Sequence, residues 1–170
     1  IEGFMRRSHG DSEFSWPYGI DPLLSLDANR LRTAVNLANR RVYRAAESHD
    51  DYGGMGTTVV GLLMAGATAV VAHVGDSRAY VLRSGGLARL TSDHSWVAEQ
   101  VRLGYLSDED AQRHPMRNVV TRALGSRPDV TVDTATLPRC PANRLPMAPP
   151  PTTQVRRMGC VASLLMIRPA

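Results

Sequence analysis

The chain has 170 residues, 43% hydrophobic and 21% charged, enough for one domain that buries roughly two-thirds of its unfolded surface. Its net charge of +4 comes from one end: residues 1–137 carry 15 Arg against 16 Asp plus Glu, and residues 138–170 carry 5 Arg and no acid. A nucleic-acid surface needs cations clustered on a folded element, so the near-neutral first 137 residues speak against that class. The longest uncharged apolar stretch, Val59 to Val74, is shorter than the ~20 residues a membrane helix needs.

In chain order, residues 1–26 read as irregular, with turns at Trp16-Pro17-Tyr18-Gly19 and Asp21-Pro22. A helix is predicted from Asp27, which can cap it, to about Ser48. Leu31, Ala34, Ala38, Val42 and Ala45 recur on one side while Arg30, Arg40, Arg41 and Arg44 stay solvated. After the loop Asp50–Gly54, the segments Gly56–Met64, Thr68–Val74 and Arg78–Arg83 are rich in Val, Thr, Leu and Ala and read as consecutive antiparallel strands. The first two are apolar on both faces and are expected at the centre of a sheet. Ser84-Gly85-Gly86 is read as a hairpin turn into a short strand, Leu87–Leu90. Ser92–Gly104 reads as a helix, Ser107 caps a second short one, and Val130–Thr136 is a closing strand.

Beyond Leu137 the character changes. Seven of the eleven prolines fall in 138–170 and hydrophobic periodicity is lost, so this tail is expected to be disordered or read out of frame from a GC-rich gene. Both cysteines, Cys140 and Cys160, lie there, which leaves the domain without a disulfide framework and fits a cytoplasmic protein. No apolar leader opens the chain, and position 1 is not Met, so a fragment is expected.

Gly75-Asp76-Ser77-Arg78 follows the apolar run Ala69–Val74. A carboxylate at such a corner can coordinate a hard cation. Spacing alone favours an Asp that caps its own turn, with Arg78 as surface partner. Gly54-Met55-Gly56-Thr57-Thr58 precedes it; Thr91-Ser92-Asp93-His94-Ser95, His114-Pro115-Met116-Arg117-Asn118 and Thr121-Arg122-Ala123-Leu124-Gly125 follow. Gly54-Met55-Gly56 is no phosphate loop, because no Gly-Lys-Ser/Thr comes after it. In this order and spacing, residues 20–137 resemble the bacterial type 2C (PPM) metal-dependent serine/threonine phosphatases, incomplete at both ends.

The resemblance implies an α+β fold, a partial four-layer α-β-β-α sandwich of antiparallel sheets over residues 1–137, with a flap at about 91–125. It implies Mn²⁺ or Mg²⁺ as cofactor, two or three ions in the complete family domain. The partners implied are phosphorylated proteins and a bacterial serine/threonine kinase with its substrates, met by a monomer and not by a membrane or nucleic acid. Asp76 corresponds to the ligand of the third metal, and Asn118 falls where the flap nears that ion. Asp93 and His94 correspond to residues that fix the base of the flap, and His114 has a similar structural part.

The phosphate-binding Arg, the Asp-Gly-Met-Gly-Gly segment with its bridging Asp, and the Ser-Asp-Gly and Asp-Asn ligand motifs of that family are absent from the 170 residues. No residue here is therefore assigned as catalytic, and little hydrolysis of phosphoserine or phosphothreonine is expected from this chain alone. The alternative is a non-catalytic phosphatase-like protein that binds a kinase or phosphoprotein.

Overall fold

The computed structural model describes residues 1–8, 15–83, 86–138 and 164–167. Its fold is α+β with antiparallel sheets. The expected turn at Ser84-Gly85 and the tail at 139–163 and 168–170 lie outside the described residues.

The N-terminal stretch is not wholly irregular, because Glu2–Ser8 forms a helix, α1. Glu2 in its first turn and Arg6 and Arg7 in its last complement the helix dipole. Phe4 is buried and packs edge-on to Trp16. Helix α2 spans Leu26–Ser48. Its cap is Ser25, whose hydroxyl accepts the Ala28 N–H at 3.2 Å. Asp27 sits inside the first turn and pairs with Arg30 at 2.9 Å.

Strands β1 (Val59–Ala65) and β2 (Thr68–Val74) form a hairpin in the register Val59↔Val74 to Ala65↔Thr68. β2 also pairs with β5 (Asp133–Pro138), giving the order β1-β2-β5. Only β2 is central, as expected. β1 is an edge of the described sheet, with Leu62 and Met64 exposed. Its two apolar faces predicted burial, but burial also requires a neighbour on each side. β5 begins three residues later than its hydrophobic pattern indicated, although Val130 and Val132 still pack into the core.

Alternation along β2 sends Val70, Ala72 and Val74 to one face, where they meet Ala28, Leu31 and Val35 of α2, with Leu124 and Val132. Val71 and His73 point to the other face and are also buried.

β2 and β3 (Arg78–Arg83) do not pair, despite following one another. β3 lies in a second sheet of order β4-β3-β6, with β4 at Gly86–Arg89 and β6 at Leu164–Ile167. The segment Gly75-Asp76-Ser77 is thus a crossing between sheets, not a hairpin turn. β6 falls within the Pro-rich tail and pairs antiparallel with Arg78–Val81. A single 3-10 turn at Asp50–Tyr52 and two short α-helices complete the described fold: α3 at Trp96–Arg102, capped by Ser95, and α4 at Asp108–Arg113, capped by Ser107. Among the described residues, no helix is long and apolar enough to cross a membrane.

Candidate metal centre

The corner where the chain changes sheets is held in one shape. Gly75 has φ 106°, and a Cβ there would stand 2.2 Å from Thr58 Cγ2. Only glycine both adopts that backbone and leaves room for Thr58. Thr58 and Ser77 share a hydroxyl hydrogen bond of 2.6 Å across the corner. On the opposite side, His94 holds both polar groups of Gly75. The Gly75 N–H donates to His94 Nδ1 at 3.0 Å, and the His94 N–H donates to the Gly75 carbonyl at 3.1 Å.

Asp76 follows directly and is half-buried. Among the described residues, no side chain or backbone group donates to its carboxylate. Arg78, the partner that a self-capped turn would use, instead grips Asp93, with Nη2 2.6 Å from Oδ2 and Nε 3.0 Å from the same oxygen. Arg89 makes a further ion pair with Asp93. The hydrogen bond to Asp93, with its charge, raises the Arg78 pKa against the opposing effect of burial. The corner therefore presents a carboxylate with unused oxygen acceptors, a donor type suited to Mg²⁺ or Mn²⁺. Asp76 fits one position of a metal centre.

His94 is buried and sits at a junction. Its carbonyl accepts the Thr121 N–H at 2.8 Å, and Ser95 bridges to Val120. Its ring stacks on His73, with centroids 4.7 Å apart and planes 16° apart. His73 is anchored in turn by Nε2, which donates to the Ser92 carbonyl at 2.9 Å. Because His94 Nδ1 accepts from Gly75, Nε2 carries the ring proton and donates to Asp133 Oδ2 at 3.2 Å. Arg122 Nη1 donates to Asp133 Oδ1 at 2.7 Å. It also lies 3.0 Å from His94 Nε2, but two donors cannot bond each other, so its partner is the carboxylate. Burial lowers the His94 pKa, and the positive Arg122 reinforces this against the pull of Asp133. For Asp133, burial works upward, yet the hydrogen bonds from His94 and Arg122 outweigh it and its pKa is lowered.

His73, His94 and Asp133 offer ligand atoms within 4.8 Å of one another, a spacing that could hold a metal. Their hydrogen bonds argue against that use. Freeing the His94 Nε2 lone pair would move the ring proton to Nδ1, against the Gly75 N–H, and the Arg122 guanidinium already neutralises Asp133. His94 and Asp133, with Arg122, are better described as a hydrogen-bonded support for the corner, on which His73 stacks.

The other residues singled out in the sequence fall into place around this junction. Asn118 is exposed in the turn ending at residue 118, next to Val119, whose carbonyl accepts the Trp96 N–H at 2.9 Å. No hydrogen bond joins it to Asp76 among the described residues. His114 stacks on Trp96 at 4.8 Å, and its Nδ1 accepts the Met116 N–H at 3.1 Å. Gly56 and Thr57 enter β1 beside Leu124, with Thr57 and Leu124 exchanging backbone bonds of 3.0 and 2.7 Å. Sequence reading passed over Asp133 and the role of Arg122. Arg122 lies inside one of the quoted motifs, but Asp133 falls in the middle of the expected strand Val130–Thr136 and reads there as an ordinary polar residue.

The protein phosphatase 2C family model matches residues 20–126. The serine/threonine phosphatase stp of Listeria welshimeri is 46% identical over 108 residues, which cover 64% of this chain and 43% of that protein. The crystal structure of serine/threonine phosphatase Stp1 from Staphylococcus aureus superposes with a TM-score of 0.62 at 37% identity, over 68% of this chain and 46% of that one. The catalytic domain of the serine/threonine protein phosphatase PstP in complex with two manganese ions has a TM-score of 0.55 at 28% identity, over 81% of this chain and 55% of that one. The chain thus spans less than half the length of the first curated relative.

Proposed function

Because this chain belongs to the protein phosphatase 2C family, we propose that it forms the Asp76-bearing part of a metal-dependent phosphatase acting on phosphoserine and phosphothreonine in proteins. The observation that supports this most is the Asp76 carboxylate, which no group donates to among the described residues and which is set at a braced corner inside the family-matching region. Enzymes of this family use Mn²⁺ or Mg²⁺. When bound, such ions acidify a coordinated water and neutralise phosphoryl charge, so that no protein nucleophile is required.

Within these residues, Asp76 would hold one ion as the ligand of the third metal. Asn118 would approach it from the segment 91–125, whose link to the corner runs through His94 and Thr121. The bridging and closing carboxylates of the two-metal centre are not among the 170 residues. Turnover therefore belongs to a complete domain, and this chain by itself has little or none. The natural substrates in this reading are phosphoproteins, including those of a bacterial serine/threonine kinase, met by a monomer in the cytoplasm.

A chimera tests the assignment. Residues 20–126 replace the corresponding segment of the L. welshimeri phosphatase, and release of phosphate from a phosphothreonine peptide is followed with and without Mn²⁺. Mn²⁺-dependent release is expected; a folded but inactive chimera would overturn the proposal. Mn²⁺-dependent hydrolysis of p-nitrophenyl phosphate by the 170-residue chain, lost in Asp76→Ala, would overturn the statement that it lacks turnover alone.

A further inference from the structure

The polar groups of His94 are all engaged, and two of the four bonds go to one residue. Its N–H and Nδ1 take the carbonyl and N–H of Gly75, its carbonyl takes the Thr121 N–H, and Nε2 donates to Asp133. Asp133 is in turn fixed by Arg122, which also donates to the Thr131 carbonyl at 3.3 Å. We propose that His94 is a positioning residue for Asp76. It clamps the peptide before that carboxylate and couples it to the segment 118–122. The proposal rests on the reading of Asp76 as a metal ligand.

The physical reason lies in the corner itself. A residue between two sheets has no ladder partner to fix it, so its direction is set by what holds its flanks. Thr58 fixes the following side through Ser77, and His94 fixes the preceding side through Gly75. Without His94 Nδ1, the buried Gly75 N–H would have no acceptor, and the corner would have to turn to find one. The carboxylate of Asp76 would move with it. Because the bond from Thr121 reaches the same residue, a displacement of 118–122 would be felt at Asp76 without touching it.

Two substitutions separate the two nitrogens. In His94→Asn, the amide oxygen can stand where Nδ1 stands, which keeps the acceptor for Gly75 and gives up Asp133. In His94→Gln, the longer amide reaches the place of Nε2, which keeps Asp133 and gives up Gly75. The probe is Mn²⁺ alone, added to the 170-residue chain into the millimolar range. Bound ion is read from loss of the free-Mn²⁺ electron paramagnetic resonance signal, and the Gly75 amide is followed by hydrogen exchange in ¹⁵N-labelled protein.

Loss of a group that orients a metal ligand typically weakens affinity about 10–100-fold. His94→Gln should therefore bind Mn²⁺ at least about tenfold more weakly, with fast exchange at Gly75. His94→Asn should stay within about threefold of the parent with Gly75 protected, because a purely packing role would not distinguish the two amides. Equal binding by His94→Gln and the parent, or by His94→Asn and His94→Gln, would overturn the proposal. Should His94→Gln fail to fold, His94→Ala, which also removes the acceptor for Gly75, replaces it; at least about tenfold weaker binding is expected, and binding equal to the parent overturns the claim. No Mn²⁺ binding by the parent chain, or binding unaffected by Asp76→Ala, would instead remove the Asp76 assignment, and the proposal with it.

Discussion

The Gly75 N–H donates to His94 Nδ1 at 3.0 Å, and that bond decides where the imidazole carries its proton. A doubly protonated ring would set two donors against each other across a buried contact. The fold therefore keeps His94 neutral, in agreement with its lowered pKa, which burial causes and Arg122 reinforces.

Acid sensitivity follows from the sign of that shift. The unfolded chain binds a proton at His94 more readily than the folded one, so stability rises with pH. The contribution is complete above the ordinary histidine value of about 6.5 and is lost as pH falls from there toward the folded value. Asp133 acts in the same direction at lower pH, since its folded pKa is also depressed and its contribution goes as pH falls through that value. Melting temperatures from circular dichroism should fall between about pH 7 and pH 5 in the parent, and less steeply in His94→Asn. Parallel pH profiles in the two proteins would contradict the account.

Gly75→Ala tests the corner directly. The new methyl group would meet Thr58 within 2.2 Å and would force an L-residue to φ 106°. Overpacking and left-handed strain together should destabilise the protein by about 3 kcal/mol, read as a lower urea midpoint. In a Thr58→Gly background, which already lacks the hydroxyl bond to Ser77, Gly75→Ala should cost less than it does in the parent, because the clash is gone and only the backbone strain remains. An equal cost in both backgrounds would mean that the contact with Thr58 is not the source.

Sequence made the elements legible where the pattern is local. β2 and β3 were read to the residue because Val, Thr and Ala runs are bounded by Gly66 and Gly75. The sheet change between them was not legible, since a tight break looks the same whether the next strand pairs back or crosses over. β1 is expected at the centre but is an edge among the described residues, for the same reason: periodicity reports what faces a strand, not what flanks it. At the site, Asp76 is singled out by the resemblance that several separate motifs carry together, since its own turn alone reads as an Asp that caps itself. The support formed by His94, Asp133 and Arg122 joins positions up to 39 apart, and nothing in a single sequence marks such a meeting.

Arg78 and Asp93 give a third test. The Arg78 guanidinium meets Asp93 through both Nε and Nη2, at 3.0 and 2.6 Å. A lysine cannot reproduce that planar fork. Arg78→Lys should lower stability by about 1 kcal/mol, the modest scale reflecting an Arg side chain that is 33% exposed. Asp93→Asn should lower it further, because it leaves both Arg78 and Arg89 without their counter-charge. Equal urea midpoints for the three proteins would show the cluster to be energetically idle.

Asn39 carries the most decisive stability prediction, because one buried amide satisfies three backbone groups at once. Gly125 N–H donates to its Oδ1 at 2.8 Å, while its Nδ2 donates to the Arg127 and Pro128 carbonyls at 3.1 and 3.0 Å. These bonds pin the end of the segment 91–125 to α2, where Gly125 lies so close that a Cβ would stand 2.5 Å from Val42 Cγ1. Asn39→Ala removes all three bonds and should cost about 3 kcal/mol. Asn39→Asp keeps the acceptor for Gly125 but turns a carboxylate oxygen toward two carbonyls. At neutral pH that repulsion should make Asp worse than Ala. Burial and the facing carbonyls would raise the carboxyl's folded pKa, so the excess loss should vanish as pH falls below it and the protonated oxygen donates again. The stability order of the two variants should therefore reverse between about pH 7 and pH 4. An order that holds across that range would mean that the amide's donors do not bind the Arg127 and Pro128 carbonyls.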